Sequence, residues 1–305
     1  MISLEDVERA RETIRGRVHR TPMFTSAALG ARLKAELFQK TGSFKVRGAL
    51  NRIAALTAEE RSRGVVTWSA GNHAQAVAYA AAQEGVDCLV VMSAHVNPLK
   101  VEATRGYGAA VDLEASDHAA AYERVLAIVE ETGRVFVHPH DDPYVVAGHG
   151  TLALEILEDA PDVSTVVVGV GGGGLIAGIV VALAGRARVV AVEPEQARAF
   201  VAGLEAGHSV RVETNTIADG LAPPFAGELP LAICKGRVES VLVSEDEIAA
   251  GMRFLYTRAK LACEPAGAAA AAAVLAGKVE PGDGVVVVVS GGNALPREAA
   301  AILAA

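Results

Sequence analysis

The chain has 305 residues, 51% of them apolar, which suits two layered units of roughly 100–200 residues each. Its 28 basic and 36 acidic residues leave a net charge of −8, so no basic face is offered to nucleic acid or to an anionic membrane. Cys88, Cys234 and Cys263 are far apart and form no C-x-x-C pair, which argues against a disulfide framework or zinc site and for a reducing compartment, the cytoplasm.

The first stretch, "MISLEDVERARETIRGRVHR", is charged and amphipathic from its start and is not expected to be a signal peptide. In "TGSFKVRG" (41–48), Ser43 reads as a helix N-cap, Lys45 falls in the first turn, and Leu50, Ile53 and Ala54 mark the buried face. Lys45 and Arg47 both oppose the helix macrodipole there. The same positive field favours a neutral amine, as a Schiff-base lysine needs. On this pattern Lys45 is a solvated charge, a phosphate clamp or a covalent catalyst.

Residues 64–69 predict a strand running into "SAGNH", where Asn72 and His73 open a helical segment. Asn72 reads either as an N-cap or as an amide presented to a ligand ring. Strands are also predicted at 87–92 and 135–139, with the helical segment "NPLKVEATRGYG" between them. His138, His140, Asp141 and Asp142 in "HPHDDP" lie too close together for clean tetrahedral ligation and read as a turn.

Residues 163–185 carry no charge and imitate a membrane span. Their seven glycines, four of them consecutive, instead predict a strand at 164–170, a glycine turn and a buried helix. Gly171–Gly174 read as a phosphate cradle at a helix N-terminus or as a packing turn. Gly169, Gly171 and Gly174, with Glu193 about twenty residues on, also fit the dinucleotide fingerprint.

Further strands are predicted at 188–193 and 284–290, and a helix over the Ala-rich run 266–277. Glu264 in "CEPAGA" reads as a first-turn acid or a functional group, and Ser290 before "GGN" as an N-cap or a partner for a ring nitrogen. Nearly continuous apolar strands alternating with helices predict an α/β fold with parallel sheets. Glycine- and asparagine-rich turns after several strands predict one shared crevice at their carboxyl ends.

Seven stretches, 41–49, 69–75, 138–151, 170–178, 217–222, 264–268 and 290–293, together resemble the fold-type II pyridoxal-phosphate enzymes, in the group of threonine/serine dehydratase (threonine deaminase) and serine racemase. The resemblance covers nearly the whole chain. It implies two open, mostly parallel twisted sheets flanked by helices, as in the tryptophan synthase β subunit. It also implies a large cofactor-binding domain (1–55 and 143–305) and a small mobile domain (56–142).

The cofactor implied is pyridoxal 5′-phosphate. Lys45 would carry it as a Schiff base and act as the α-proton base, with Phe44 near its ring and Asn72 on its 3′ oxygen. Gly171, Gly172, Gly173 and Gly174 would hold its phosphate, and Ser290 would meet its pyridine nitrogen. Ser69, Gly71, Asn72 and His73 would surround the substrate carboxylate. The implied reaction is dehydration and deamination of L-threonine and L-serine to 2-oxobutanoate or pyruvate and ammonia, in a cytoplasmic homodimer or higher homo-oligomer that supplies isoleucine synthesis.

Three positions depart from the group. Ala70 stands where racemases carry a serine base, so little racemase activity is expected. The group's divalent cation site (Mg or Ca) would use Glu193 and the Ala197 carbonyl, but its second acid is Ala199 here, which leaves the set incomplete or completed by water. His149 replaces a glutamine. The chain ends twelve residues after Asn293, so feedback through an appended regulatory domain is not expected. The alternatives are serine racemase or hydroxyaspartate dehydratase on the same scaffold and, outside it, an NAD-dependent oxidoreductase or a non-catalytic phosphate-binding module.

Overall fold

The structure, a computed structural model, describes residues 1–304. Among the described residues there are ten strands: β1 (Met23–Ser26), β2 (Ala31–Ala35), β3 (Val65–Trp68), β4 (Cys88–Ser93), β5 (Ala110–Ala115), β6 (Val135–Phe136), β7 (Thr165–Gly169), β8 (Arg188–Pro194), β9 (Glu239–Val243) and β10 (Val285–Val289). They form a six-stranded sheet in the order β1-β2-β10-β7-β8-β9 and a four-stranded sheet in the order β5-β4-β3-β6. β1 and β2 pair antiparallel; the other pairings are parallel.

β7 and β10 sit at the centre of the larger sheet and are buried along their whole length, as strands covered on both faces must be. Val287 of β10 is in register with Leu33 of β2 and Val167 of β7. The six strands expected from the sequence are all present. Those that it did not predict are β1, β2, β5 and β9, which are short or carry charges. β2 reads "ARLKA", yet Lys34 is fully buried. Its ammonium donates to the Thr21 carbonyl (2.8 Å) and to Glu155 (2.7 Å).

The helix Lys45–Ala54 packs against the helices Asn72–Glu84 and Pro143–Asp159. Arg47, misplaced by dipole logic, is explained by the tertiary structure. It is buried, makes two 2.8 Å bonds to Glu36 and one of 2.7 Å to Glu155, and so anchors the helix two residues beyond Lys45. The Ser43 cap is corrected. The helix starts at Lys45 with Phe44 as its N-cap. Ser43 is extended and bridges Gly291, one residue too early to cap, and its hydroxyl has no partner among the described residues.

Two glycine contacts set the spacing of the central helices. A Cβ on Gly148 would stand 2.6 Å from the Arg47 carbonyl and 2.7 Å from Gly48 Cα, and one on Gly150 would stand 2.8 Å from the Gly178 carbonyl. The obstacles are backbone and cannot swing aside. Gly148→Ala is therefore expected to destabilise the protein by about 1–3 kcal/mol, at the upper end of that span. Urea unfolding checks this, and an unchanged midpoint would rule out the tight crossing.

Candidate active site

Segments following β3, β6, β7 and β10 converge on one cavity of about 430 Å³, a size suited to a small ligand. The crevice lies beyond the carboxyl ends of parallel strands, where open α/β sheets bind ligands.

Lys45 enters this cavity from the first turn of its helix. Its ammonium donates to the Pro139 carbonyl at 2.8 Å and lies 5.2 Å from the centre of the Phe44 ring. Burial pushes its pKa down to about 8, so a neutral amine is accessible near physiological pH. The imidazoles around it are poor bases. Burial lowers His73 to about 3 and His138 to about 4, and it holds His140 and His149 well below the usual histidine range. His73 Nε2 lies 3.1 Å from the Val137 carbonyl. His149 stands edge-on to Phe44, 4.8 Å between ring centres.

The glycine run lines the same cavity. Gly173, at φ +90°, is the N-cap of the helix Gly174–Leu183. A Cβ on Gly173 would stand 2.7 Å from Pro230 and 2.8 Å from Phe200, one on Gly171 2.9 Å from Pro223, and one on Gly172 would enter the His140 ring. The backbone is thus packed from behind and bare toward the cavity, which suits an oxyanion at a helix N-terminus.

Ser69, Gly71, Asn72 and His73 line the cavity after β3, and the buried Ser290 lines it after β10. The Ser290 carbonyl accepts from Phe44 N–H at 3.1 Å. Asn72 donates through Nδ2 to Glu264 Oε1 at 2.6 Å, and its Oδ1 accepts from Asn293 Nδ2 at 2.7 Å. Glu264 is the N-cap residue of the helix Pro265–Leu275, but its carboxyl turns to Asn72, and burial raises its pKa to about 7.

Glu193 and Ala197 lie outside this cavity. The Glu193 carboxylate is fully buried and accepts the Phe200 and Val201 N–H groups, each at 2.8 Å. It thereby caps the helix Ala199–Ala206. Both Glu193 oxygens thus serve a helix N-terminus, and the position of the second acid is Ala199, which offers no carboxylate. Among the described residues no group of three or more His, Cys, Asp or Glu side chains is placed to hold a metal. The "HPHDDP" loop is a turn: His138 Nδ1 accepts from Asp141 N–H at 2.9 Å, and Asp142 caps the helix Pro143–Asp159.

Sequence reasoning gave Asn293, Lys100 and Asp219 no role. Lys100 and Asp219 line the cavity and pair across it at 2.5 Å. Asn293 had a legible signal, since "SGGN" repeats the strand-end pattern of "SAGN".

A half-buried amine, a glycine-lined helix start, an amide and a hydroxyl in one cavity suit a phosphorylated aromatic ring bearing a carbonyl. Comparison with known proteins agrees. The L-threonine ammonia-lyase of Thermotoga maritima is 47% identical over 304 residues, 96% of this chain and 76% of that protein. The L-threonine dehydratase catabolic TdcB of Escherichia coli K12 is 42% identical over 306 residues, 96% of this chain and 93% of that protein. The structure of maize serine racemase superposes with a TM-score of 0.92 at 35% identity, covering 97% of this chain and 94% of that one. The family model for pyridoxal-phosphate dependent enzymes matches residues 14–291, and the chain that builds this cavity belongs to that family.

Proposed function

We propose that this enzyme dehydrates and deaminates L-threonine, and L-serine, to 2-oxobutanoate or pyruvate and ammonia. The observation that carries the reading is that Lys45 Nζ shares one cavity with the glycine run, whereas the cavity's other amine, Lys100, is paired with Asp219. The two threonine-cleaving relatives, alike over 96% of this chain, support the substrate class.

Pyridoxal phosphate, when bound, supplies the electron sink for the pair left on the substrate α-carbon. Lys45 would tether it, Gly171 to Gly174 would hold its phosphate, Asn72 its 3′ oxygen and Ser290 its ring nitrogen, and Phe44 would pack near the ring. Ser290 would offer that nitrogen a hydroxyl in place of a carboxylate, a partner that would not hold a proton there. Ser69, Gly71, Asn72 and His73 bind the substrate carboxylate. Once the substrate amine has taken its place, the freed Lys45 Nζ would take the α-proton, which balances the proton that leaves with the β-hydroxyl as water. Water leaves from the β-carbon and re-enters as the released enamine hydrolyses to the keto acid and ammonia.

The large domain comprises 1–55 and 143–305, and 56–142 form the small domain that closes over substrate. Supporting this, the four-stranded sheet draws its strands only from residues between 65 and 136. The enzyme is cytoplasmic and self-associates. The three buried free cysteines and the exposed Phe24–Phe38 pair favour those two points. The word catabolic in the Escherichia coli relative's name favours a degradative role over isoleucine supply.

The test is the visible spectrum of purified protein before and after L-threonine, with 2-oxobutanoate measured alongside. A colourless protein with no borohydride-trapped lysine would sink the reading. Ala70 lines the cavity with a side chain that cannot move a proton, so D-serine is expected to form from L-serine at least ~100-fold more slowly than pyruvate. Equal rates, read by chiral chromatography, would favour the racemase alternative.

A further inference from the structure

Asn72 does not reach the cavity as a loose side chain. An asparagine amide has two donor hydrogens and one acceptor oxygen. Its Oδ1 accepts from Asn293 Nδ2 at 2.7 Å, and its Nδ2 gives one hydrogen to Glu264 Oε1 at 2.6 Å. Asn293 is fixed in turn, because the same Nδ2 donates to the Thr41 carbonyl at 2.7 Å. Both hydrogens of Asn293 Nδ2 are therefore committed, and its amide cannot flip without losing both bonds. Flipping Asn72 would set its carbonyl against the Glu264 carboxyl and its NH₂ against the NH₂ of Asn293. The orientation is over-determined, and one N–H of Asn72 is uncommitted among the described residues.

The surroundings are shaped to this arrangement. Glu264 is buried, and its N–H donates to the Gly291 carbonyl at 3.1 Å. A Cβ on Gly291 would strike Glu264 Oε1 and stand 3.2 Å from Asn72 Nδ2. Gly42 closes the other side, since a Cβ there would strike the Asn293 amide. Thr41, a β-branched residue at φ +62°, holds a conformation that such residues rarely adopt, and its carbonyl is the one that anchors Asn293. Asn72 follows β3 of the smaller sheet, whereas Glu264 and Asn293 belong to segments packed on the larger one, so the bonds cross between the sheets at the cavity.

We propose that Glu264 and Asn293 are positioning residues that lock the Asn72 amide and aim its remaining N–H at the cofactor. This rests on the assignment of Asn72 to the cofactor ring oxygen, and it adds the reason that the amide can point only one way. Glu264 acts as a hydrogen-bond acceptor of fixed position. An acceptor of the same shape should replace it, and a side chain without an acceptor should not.

The test uses the pyridoxal-phosphate-loaded protein and its Glu264→Gln, Glu264→Ala, Asn293→Ala and Asn72→Ala variants. The visible band is recorded without substrate, and kcat and KM with L-threonine. Glu264→Ala and Asn293→Ala are each expected to shift the band in the direction that Asn72→Ala does. They should lower kcat roughly 10- to 100-fold through misplacement of the ring, with KM changing much less. Glu264→Gln should keep the parental band and most of kcat. In the Asn72→Ala background, Glu264→Ala should add no further shift, because its effect runs through that amide.

An unshifted band in Glu264→Ala, a Glu264→Gln variant as impaired as Glu264→Ala, or full additivity with Asn72→Ala would overturn the proposal. If Glu264→Ala does not fold, Glu264→Gln and Asn293→Ala still decide it. Absence of 2-oxobutanoate from the unsubstituted protein would defeat the threonine reading and leave the spectral comparison standing.

Discussion

Lys45→Ala is expected to lower the rate of 2-oxobutanoate formation by roughly 10³- to 10⁴-fold, the upper range for loss of a positioned proton carrier, while leaving the fold intact. The two halves of this expectation have separate causes. Catalysis should collapse because the nearby groups are poor substitutes: His73 and His138, pushed down by burial to about 3 and about 4, are weak bases, Lys100 is paired with Asp219 and Glu264 is bonded to Asn72, and Ala70 carries no proton. Stability should hold because the Lys45 ammonium makes one hydrogen bond among the described residues, to the Pro139 carbonyl, and sits at a helix N-terminus where the macrodipole disfavours a cation. A variant that unfolds as readily as it loses activity would mean that the residue is structural.

The same burial has a pH signature. In cofactor-free protein, labelling of Lys45 by a small amine-reactive reagent should rise about tenfold per pH unit while the ammonium form dominates. It should level off above its pKa of about 8. The sign follows from desolvation, which penalises the charged form and so lowers the pKa of an amine. Peptide mapping by mass spectrometry reads the profile; a rate still climbing at the pH of an ordinary lysine would contradict the burial.

Gly172→Ala is the second large expected effect. The new methyl group would enter the ring of His140. That ring is buried and backed edge-on by His138, 4.6 Å between ring centres, and Gly174 packs on the His140 backbone. The ring atoms nearest its own backbone are among those struck, so either the imidazole or the glycine run must shift. Overpacking of this kind costs about 1–3 kcal/mol, and that cost falls on the segment that cradles the phosphate. Cofactor affinity is expected to drop by roughly 10- to 100-fold, with turnover following it at limiting cofactor. Adding His140→Ala makes room for the methyl group and should recover much of the loss, the non-additivity expected of residues in contact. Absorbance titration of cofactor into the single and double variants measures both; equal affinities in the two would exclude the clash.

The periodicity and the motifs carried much of this protein. Six strands were legible because buried parallel strands are unbroken apolar runs, and the glycine run announced a helix start by composition alone. β2 was not legible, because Lys34 looks solvent-facing until Glu155, 121 residues away, is seen to pair with it. Ser43 misled because its residue type suits a cap, whereas its backbone pairs with Gly291. Glu193 left its role open in the sequence, since an acid at a strand end fits a metal ligand or a ribose partner, and only the fold shows its two oxygens accepting helix amides.

By itself the sequence determined the α/β alternation and the seven ordered stretches, and the family that those stretches resemble implied Lys45 as the base. These depend on local spacing and residue type, which the chain carries wherever it goes. Only the tertiary structure decided what surrounds them. Asn72 meets Glu264 across 192 residues and Asn293 across 221, and Lys45 meets the Pro139 carbonyl across 94. Contacts at such separations arise from how two sheets are set beside one cavity, a relation that no local period encodes. The depression of the Lys45 pKa is of the same kind, because desolvation is a property of the packed cavity and not of the lysine.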